Sequence, residues 1–222
     1  MKSNPWRDLV NGYTPKGAFS NLSRCDSPTE NEIKSFIRTY IFGNVPYFTI
    51  EKTLVYDDII QYIAQSLDLH ESDIDMTGSA KLGFSLKATQ WLRRFTCLDS
   101  DLDFFAVSEN MFQRLYSDIG IWEKNIKEEH HKKFQWVKEC ADIKGFIDTW
   151  HIPGKFPMTK NCQLVMYNAC LKLNKLMGAR VVDETKKSAS IRCYKNYDSA
   201  LAQITINIQS EINKVIGGKK NR

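Results

Sequence analysis

The sequence lacks several features that would place it in a familiar class of proteins. No apolar run approaches the roughly 20 residues that a membrane-spanning helix needs, and residues 1–12 contain no apolar core of a secretory signal. None of the six cysteines stands in a C-x-x-C pair, which favours reduced, buried thiols over disulfides or a zinc site. Together these absences predict a cytoplasmic protein with no membrane segment.

Signatures of two large enzyme classes are also missing. There is no G-x-x-x-x-G-K-[ST] loop, so the sequence does not predict a P-loop nucleotide hydrolase. There is no nucleophile–His–Asp pattern, and the adjacent His130 and His131 would point about 100° apart on a helix, which predicts a solvated face rather than a metal site. The formal net charge of +5 is compatible with nucleotides or nucleic acid and requires neither.

The most informative stretch is acidic and lies at the start of a buried strand. Residues 104–107 are apolar and predict the strand, and Asp101 and Asp103 stand two positions apart just before it. On a strand, these two carboxylates leave the same face. Two adjacent acids are costly there unless a cation lies between them, and their hard oxygen atoms suit Mg²⁺. Asp99 precedes the strand proper and is assigned no metal role.

A second informative stretch is the turn at Gly78-Ser79, which follows a short candidate strand over 74–77. Glycine lets the backbone of a tight turn approach a ligand closely. If a helix starts at Ser79, its free N–H groups and the serine hydroxyl face an incoming phosphate. Taken alone, the spacing Gly-Ser-x-x-x-Gly more often marks an ordinary turn and helix start.

The combination of the two stretches resembles the nucleotidyltransferase superfamily, whose members include polymerase-beta-like enzymes. The resemblance is specific over about residues 74–107, loose from there to about 152, and only architectural elsewhere. It implies an α+β (mixed α/β) fold, with a nucleotidyltransferase-like core around a small mixed sheet and a helical C-terminal part. The residues that carry the resemblance are Gly78, Ser79, Gly83, Asp101 and Asp103.

The resemblance implies the transfer of a nucleoside monophosphate from a nucleoside triphosphate to a hydroxyl group. The β- and γ-phosphates are expected at Gly78 and Ser79, with Lys81 as a further nucleotide-binding residue. Asp101 and Asp103 are expected to hold Mg²⁺ or Mn²⁺, which orients the phosphates and neutralises charge as pyrophosphate leaves.

In such enzymes a third carboxylate binds a second metal ion and helps to activate the attacking hydroxyl group. We expect it on a neighbouring strand of the same sheet. The best candidate is Asp148, on a strand predicted over 145–152, which makes Asp148 both a catalytic and a metal-binding prediction. Asp142, Asp183 and Glu184 are alternatives.

One departure from the family pattern is the long insert, residues 80–100, between the Gly-Ser turn and the acid pair. Its basic residues Lys87, Arg93 and Arg94 could contact phosphates or a polyanionic acceptor, or they could be solvated surface charges. The insert could therefore form a substrate loop, or it could pack around its own Trp91.

A small basic-aromatic cluster lies near the C-terminus and offers two interpretations. A nucleobase could stack on one of its tyrosines. Alternatively, the side chains could simply pack within a strand, which is the more common role for such residues. The cluster consists of Arg192, Tyr194, Lys195 and Tyr197.

Hydrophobic periodicity and capping residues predict the order of the elements. We expect residues 1–155 to form the nucleotidyltransferase-like core with its N-terminal helices, and residues 156–222 to form a helical lobe packed on that core. Strands are predicted at 74–77, 101–107, 145–152 and 188–194. Helices are predicted to be capped by Thr29, to start at Asp57, to be capped by Ser108, to span 161–177, and to be capped by Asp198.

Two functional hypotheses from different classes follow. The first is a magnesium-dependent nucleotidyltransferase whose acceptor is an RNA or tRNA end, a nucleotide, a protein side chain or a small molecule such as an aminoglycoside. The basic balance favours RNA or a nucleotide, and the resemblance implies a context such as antiviral defence or a bacterial toxin–antitoxin system. The second is a catalytically silent subunit that binds a nucleotide or a partner protein. A third, purely structural interpretation treats the acidic stretch as a solvated turn.

Overall fold

The computed structural model describes residues 28–47, 53–95, 101–176 and 189–220. Helices and strands alternate along these ranges, and the chain has the predicted α+β class. The described helices are α1 (Glu30–Phe36), α2 (Thr53–Leu67), α3 (Gly78–Leu82), α4 (Glu109–Glu123), α5 (His131–Asp142), α6 (Pro157–Leu176) and α7 (Tyr197–Lys220). The described strands are β1 (Ile74–Thr77), β2 (Leu102–Val107), β3 (Phe146–Asp148) and β4 (Ala189–Tyr194).

The strands form one mixed sheet in the order β1-β2-β4-β3. The acidic strand β2 lies inside the sheet, with β1 antiparallel on one side and β4 parallel on the other. β3 pairs antiparallel with the outer edge of β4. The parallel pairing of β2 with β4 needs a long crossover connection, and the chain between the two strands supplies α4, α5, β3 and α6.

The position of β4 corrects the predicted division of the chain at residue 155. β4 belongs to the sequence range that we expected to form a helical lobe, yet it pairs with both β2 and β3. The sheet is therefore completed by the C-terminal part of the chain. The physical reason is that β3 pairs with β4 and not with β2. Without β4, which lies beyond residue 155, β3 would have no partner strand.

The two faces of the sheet differ in chemistry. Alternate residues of β2 point to opposite faces, and Leu102, Phe104 and Ala106 point into a large apolar core that also contains residues of α2, α4, α5 and α6. The opposite face carries Asp103 at one end of β2 and Phe105 further along. Only the apolar part of this second face joins a core, in which it packs with residues of α1 and α7.

Two predicted helix caps are confirmed. Thr29 caps α1 in a reciprocal arrangement, in which its hydroxyl oxygen accepts from the Glu32 N–H at 3.3 Å while the Thr29 N–H donates to the Glu32 carboxylate at 2.8 Å. α1 then continues as a π-helical turn over Ile37–Phe42. At the start of α4, the Ser108 hydroxyl oxygen accepts from the Met111 N–H at 3.2 Å. Both side chains satisfy helix N–H groups that have no partner within the helix.

Other element boundaries differ from the prediction. α7 begins at Tyr197, and its capping carboxamide is that of Asn196, which accepts from the Ser199 N–H at 2.9 Å, so the prediction of Asp198 as the cap was wrong. α2 starts at Thr53, four residues before the predicted start. The strand predicted over 145–152 is shorter, because Asp148 caps a 3-10 turn by accepting from the Trp150 N–H at 3.1 Å.

α6 also begins earlier than predicted, at Pro157 instead of residue 161. Proline suits the first position of a helix because its missing N–H would have no partner there. The first turn is anchored to α4, since the buried Asp118 carboxylate accepts from both the Thr159 N–H and its hydroxyl group, at 2.7 and 2.9 Å. Residues 177 and 188, which bounded two predicted elements, lie outside the described ranges.

The expectation of reduced, buried thiols is confirmed for the cysteines in the described ranges. Cys140, Cys162, Cys170 and Cys193 are buried thiols that form no disulfide, while residues 25 and 97 fall outside those ranges. Burial raises the pKa of the Cys162 thiol to about 12, which keeps it protonated and unreactive. Among the helices described, none is long and apolar enough to cross a membrane.

Candidate functional site

The Gly-Ser turn and the acid pair meet at one end of the sheet. β1 runs antiparallel to β2, so Thr77 at the end of β1 lies opposite Asp103 near the start of β2. Gly78 follows with a positive φ of 72°, a conformation that side chains other than glycine adopt with strain. A Cβ atom at Gly78 would lie 3.0 Å from Oδ2 of Asp103. Glycine therefore allows the turn to pack directly against the carboxylate.

The negative charge of Asp103 is only weakly compensated by neighbouring groups of the protein. Its Oδ1 accepts a hydrogen bond from the Ser190 hydroxyl at 3.3 Å. Burial is the main cause that raises its pKa, and the negative charge of Asp101 raises it further, while Lys87 and Arg192 oppose the shift. A divalent cation at the pair would relieve both the burial cost and the repulsion.

Both acids border a cleft of about 260 Å³. Part of its lining is polar and comes from Thr77, Gly78, Ser79 and the acid pair. Apolar lining comes from the π-helical turn, the insert, β4 and α7. The apolar residues that line the cleft are Ile41, Leu86, Tyr194, Ile204 and Ile208.

The insert presents its basic residues to this cleft. Residues 84–95 fold back on themselves, with Phe84 bridged to Arg94 and the Ser85 N–H donating to the Arg93 carbonyl oxygen at 2.8 Å. Lys87, Arg93 and Arg94 all line the cleft. The two interpretations of the insert are both partly correct, since Leu86, Trp91 and Leu92 also pack against the core on this face of the sheet.

α7 also lines the cleft, and sequence analysis did not predict this. Asn207 and Glu211 line the cleft, and one Glu211 oxygen accepts from the Ala88 N–H at 2.6 Å, which ties α7 to the insert. The Lys214 ammonium group, followed by the Ala88 N–H, lowers the pKa of Glu211. In sequence these side chains are the polar positions of an amphipathic helix, so no local signal marked them.

Lys81, which was predicted to bind the nucleotide, is not among the residues that line the cleft. Its side chain is buried, and its Nζ donates to both oxygens of Asp75, at 2.6 and 2.8 Å. The Tyr56 hydroxyl donates to the same carboxylate at 3.2 Å. This ion pair anchors α3 to β1 behind the Gly-Ser turn. Burial raises the pKa of Asp75 and lowers that of Lys81, and the contact between the two opposes both shifts.

Asp148 lies in the predicted sheet but not beside the acid pair. β4 separates β3 from β2, and neighbouring strands lie about 4.8 Å apart. Asp148 is also at the register of Phe105 instead of Asp103, because both pair with Arg192. Its Oδ2 forms an ion pair with Arg192 at 2.8 Å, and it does not border the cleft. The structure therefore does not bring Asp148 to Asp101 and Asp103.

Of the other candidates for a third carboxylate, only Asp142 falls within the described ranges. It accepts from the Tyr116 hydroxyl at 2.6 Å and does not line the cleft. Asp183 and Glu184 lie outside the described ranges, as does Asp99, which was assigned no metal role. Within those ranges, no group of three or more His, Cys, Asp or Glu side chains is arranged to hold a metal ion.

The basic-aromatic cluster is split by the fold. Arg192 and Tyr194 lie on β4 and line the cleft, although Tyr194 is almost fully buried. Lys195 points towards Glu109, and the half-exposed Tyr197 packs its edge against Phe42. The strand-packing interpretation holds for Tyr194, which is buried. Arg192, in contrast, presents its side chain to the cleft.

Searches with protein-family models, among curated proteins and among solved structures found no match to this chain.

Proposed function

We propose that this protein is a magnesium-dependent nucleotidyltransferase, which moves a nucleoside monophosphate from a nucleoside triphosphate to a hydroxyl acceptor. One observation carries the proposal. The Gly78-Ser79 turn packs against the Asp103 carboxylate, and it lines a cleft together with Asp101 and three basic side chains from the insert. Acids for a metal ion beside backbone and cationic donors for phosphate suit a metal–triphosphate complex.

The donor atoms fit the metal. Mg²⁺ is commonly held by one or two carboxylates, while substrate phosphates and water complete its shell. Asp101 and Asp103 supply the two carboxylates, and the raised pKa of Asp103 indicates a pair that gains from a cation. The bound ion would neutralise negative charge on the phosphates during transfer. Mn²⁺ has the same ligand preference and serves as a probe.

The rest of the triphosphate is matched by hydrogen-bond donors and positive charge. The Ser79 hydroxyl and the backbone of the turn lie beside the acid pair, and Lys87, Arg93 and Arg94 line the same cleft. Guanidinium groups bind phosphate oxygens in a bidentate manner. In the proposed reaction the acceptor oxygen bonds to the α-phosphorus, the bond from that phosphorus to its bridging oxygen breaks, and pyrophosphate leaves with the electron pair. The hydroxyl proton is released.

The acceptor is proposed as a nucleotide or an RNA end. The cleft places cationic side chains around the acids, and a second polyanion would meet the same cations. A protein side chain is the alternative acceptor. A cytoplasmic location is part of the proposal and is supported by four buried thiols that form no disulfide.

The function is tested by incubating the purified chain with each α-labelled nucleoside triphosphate and Mg²⁺ or Mn²⁺. We expect label to move to RNA, nucleotide or protein. The double variant Asp101→Asn with Asp103→Asn is the control and should abolish transfer, because it removes the metal ligands while keeping the side-chain shape. Transfer that survives in this variant contradicts the proposal.

A second candidate function is supported by the neighbouring strand. On β4, which is described along its whole length, the residues facing the cleft are Ser190, Arg192 and Tyr194, none of which is a carboxylate. A silent subunit that binds a nucleotide needs the acid pair but no third acid. Nucleotide binding by the wild-type chain, without transfer of label to any acceptor, would favour this alternative.

A further inference from the structure

Among the described residues that line the cleft, Arg192 is the only basic one that lies on a strand. It lies on β4, beside the acidic strand, with Phe105 on one side and Asp148 on the other. Its side chain lines the cleft and is 31% exposed. Since the order of strands is β1-β2-β4, Arg192 approaches the acid pair from the side opposite the Gly-Ser turn.

The guanidinium group is held in place by two neighbours. Its Nη2 donates to Oδ2 of Asp148 at 2.8 Å, and its central carbon lies 4.9 Å from the centre of the Phe146 ring. A planar cation that is stacked and paired in this way loses little conformational freedom when it binds an anion.

Both oxygens of Asp148, in contrast, already accept a hydrogen bond. Oδ2 accepts from Arg192, and Oδ1 accepts from the Trp150 N–H. Its side chain is 12% exposed. A metal ion at Asp148 would compete with the ion pair to Arg192 and with the helix cap.

Arg192 still has unused capacity as a donor. A guanidinium group carries five N–H donors, and the buried Nε of Arg192 has no hydrogen-bond partner. An unpaired donor in such a position is costly. Arg192 is a fixed cation with spare donors, and it lies near the carboxylate pair proposed to bind a metal ion. A phosphate group could therefore bind the metal ion and Arg192 at the same time.

We propose that Asp148 is a positioning residue, that it orients Arg192, and that Arg192 binds a phosphate oxygen of the metal–triphosphate complex from the β4 side of the acid pair. The inference rests on the proposed function. It replaces the metal-binding role predicted for Asp148 by a role that acts through Arg192. With this role for Arg192, cations from the insert and from β4 would flank the metal ion in the cleft.

The test separates metal binding from phosphate binding by using two probes. Mn²⁺ alone is titrated by electron paramagnetic resonance, and inorganic tripolyphosphate is titrated in the presence of saturating Mn²⁺ by calorimetry. The variants are Asp148→Asn, Arg192→Gln and their combination. The matched controls are Asp142→Asn, another hydrogen-bonded carboxylate, and Arg114→Gln, an arginine on α4 that donates to the Leu67 carbonyl oxygen.

We expect Asp148→Asn to bind Mn²⁺ as the wild type does. Tripolyphosphate affinity should fall about tenfold in Arg192→Gln and several-fold in Asp148→Asn, as expected for a lost charge-assisted hydrogen bond. The combined variant should be no worse than Arg192→Gln alone, because the two residues act as one unit. Both controls should bind the two probes normally.

Two results would overturn the inference and leave the proposed function standing. One is a loss of Mn²⁺ binding in Asp148→Asn, which would make Asp148 a metal ligand. The other is unchanged tripolyphosphate binding in Arg192→Gln. If Arg192→Gln does not fold, as judged by its thermal unfolding, Arg192→Lys takes its place and should still weaken tripolyphosphate binding, because lysine cannot form the paired, stacked arrangement. A wild-type chain that binds neither probe would overturn the inference together with the proposed function.

Discussion

Two aspartates on the same face of the sheet, Asp75 and Asp103, have opposite surroundings. They lie on the paired strands β1 and β2, and burial raises the pKa of both. Asp75 is compensated inside the protein, because it accepts from the Lys81 ammonium group, from the Tyr56 hydroxyl and from the Met76 N–H. Its negative charge is part of the folded structure.

Asp103 is affected more strongly by the second acid, Asp101, than by either of the cations Lys87 and Arg192. Its hydrogen bond from Ser190 is long, and Asp101 raises its pKa further. A buried carboxylate costs free energy unless it is paired. We infer that Asp75 contributes to stability, whereas Asp103 is suited to bind a ligand. Both residues nevertheless lie in short, acidic strands that look alike in sequence.

The largest effect is expected when Lys81, the ion-pair partner of Asp75, is replaced. Lys81→Met should lower the free energy of unfolding by about 2–3 kcal/mol, because it leaves a carboxylate buried without its cation. Urea denaturation measures this change. The control is Lys138→Met, which breaks an exposed ion pair with Glu123 and should cost less than about 0.5 kcal/mol. Equal effects of the two variants would contradict a structural role for Lys81.

The second test removes the close approach at the turn. Gly78→Ala should cost about 1–2 kcal/mol, because alanine is strained at a positive φ and its Cβ meets the Asp103 carboxylate. It should also weaken Mn²⁺ binding by moving that carboxylate. Gly120→Ala is the matched control, since a Cβ there meets nothing within 4 Å and alanine favours the helix by about 1 kcal/mol.

The third test neutralises each aspartate in turn. Asp103→Asn should leave the stability of the metal-free protein within about 0.5 kcal/mol of the wild type, or raise it, because it removes repulsion from Asp101. Mn²⁺ binding should be lost. Asp75→Asn should do the reverse, with lower stability and retained metal binding. The comparison fails if both substitutions destabilise the metal-free chain to the same extent.

The smallest effect is on the pH dependence of stability. In the folded chain the pKa of Asp103 is raised above its ordinary value of 3.8. Between the unfolded and the folded pKa, the folded chain therefore binds more protons than the unfolded chain does. Relative to Asp103→Asn, the metal-free wild type should therefore lose stability as pH rises through that window. Saturating Mn²⁺ should reverse the trend, since the metal binds the ionised carboxylate. Urea denaturation at several pH values, with and without Mn²⁺, measures both slopes.

Local features of the fold could be predicted because they depend on neighbours in sequence. Thr29 and Ser108 cap the helices that follow them because their hydroxyl groups reach N–H groups three residues away. The alternation in β2 sends Leu102 and Asp103 to opposite faces whatever else the chain does. The meeting of Gly78 with Asp103 follows from antiparallel pairing of two adjacent strands.

Roles that depend on the order of strands could not be predicted. Asp148 was expected beside the acid pair because it lies on the next strand along the chain, but β4 inserts between them. Lys81 lies three residues after Gly78, yet its side chain turns to Asp75 because a helical turn directs it away from the cleft. Asn207 and Glu211 reach the cleft only because α7 packs over it.

Periodicity and short-range hydrogen bonding were enough to predict the α+β class and to mark the acid pair and the Gly-Ser turn. Which charged side chains are paired depends on the assembled fold. β4 comes from far along the chain and brings Ser190 and Arg192 to the acidic strand. Whether a buried carboxylate is paired depends on partners in space, and these partners are fixed only when the sheet is assembled.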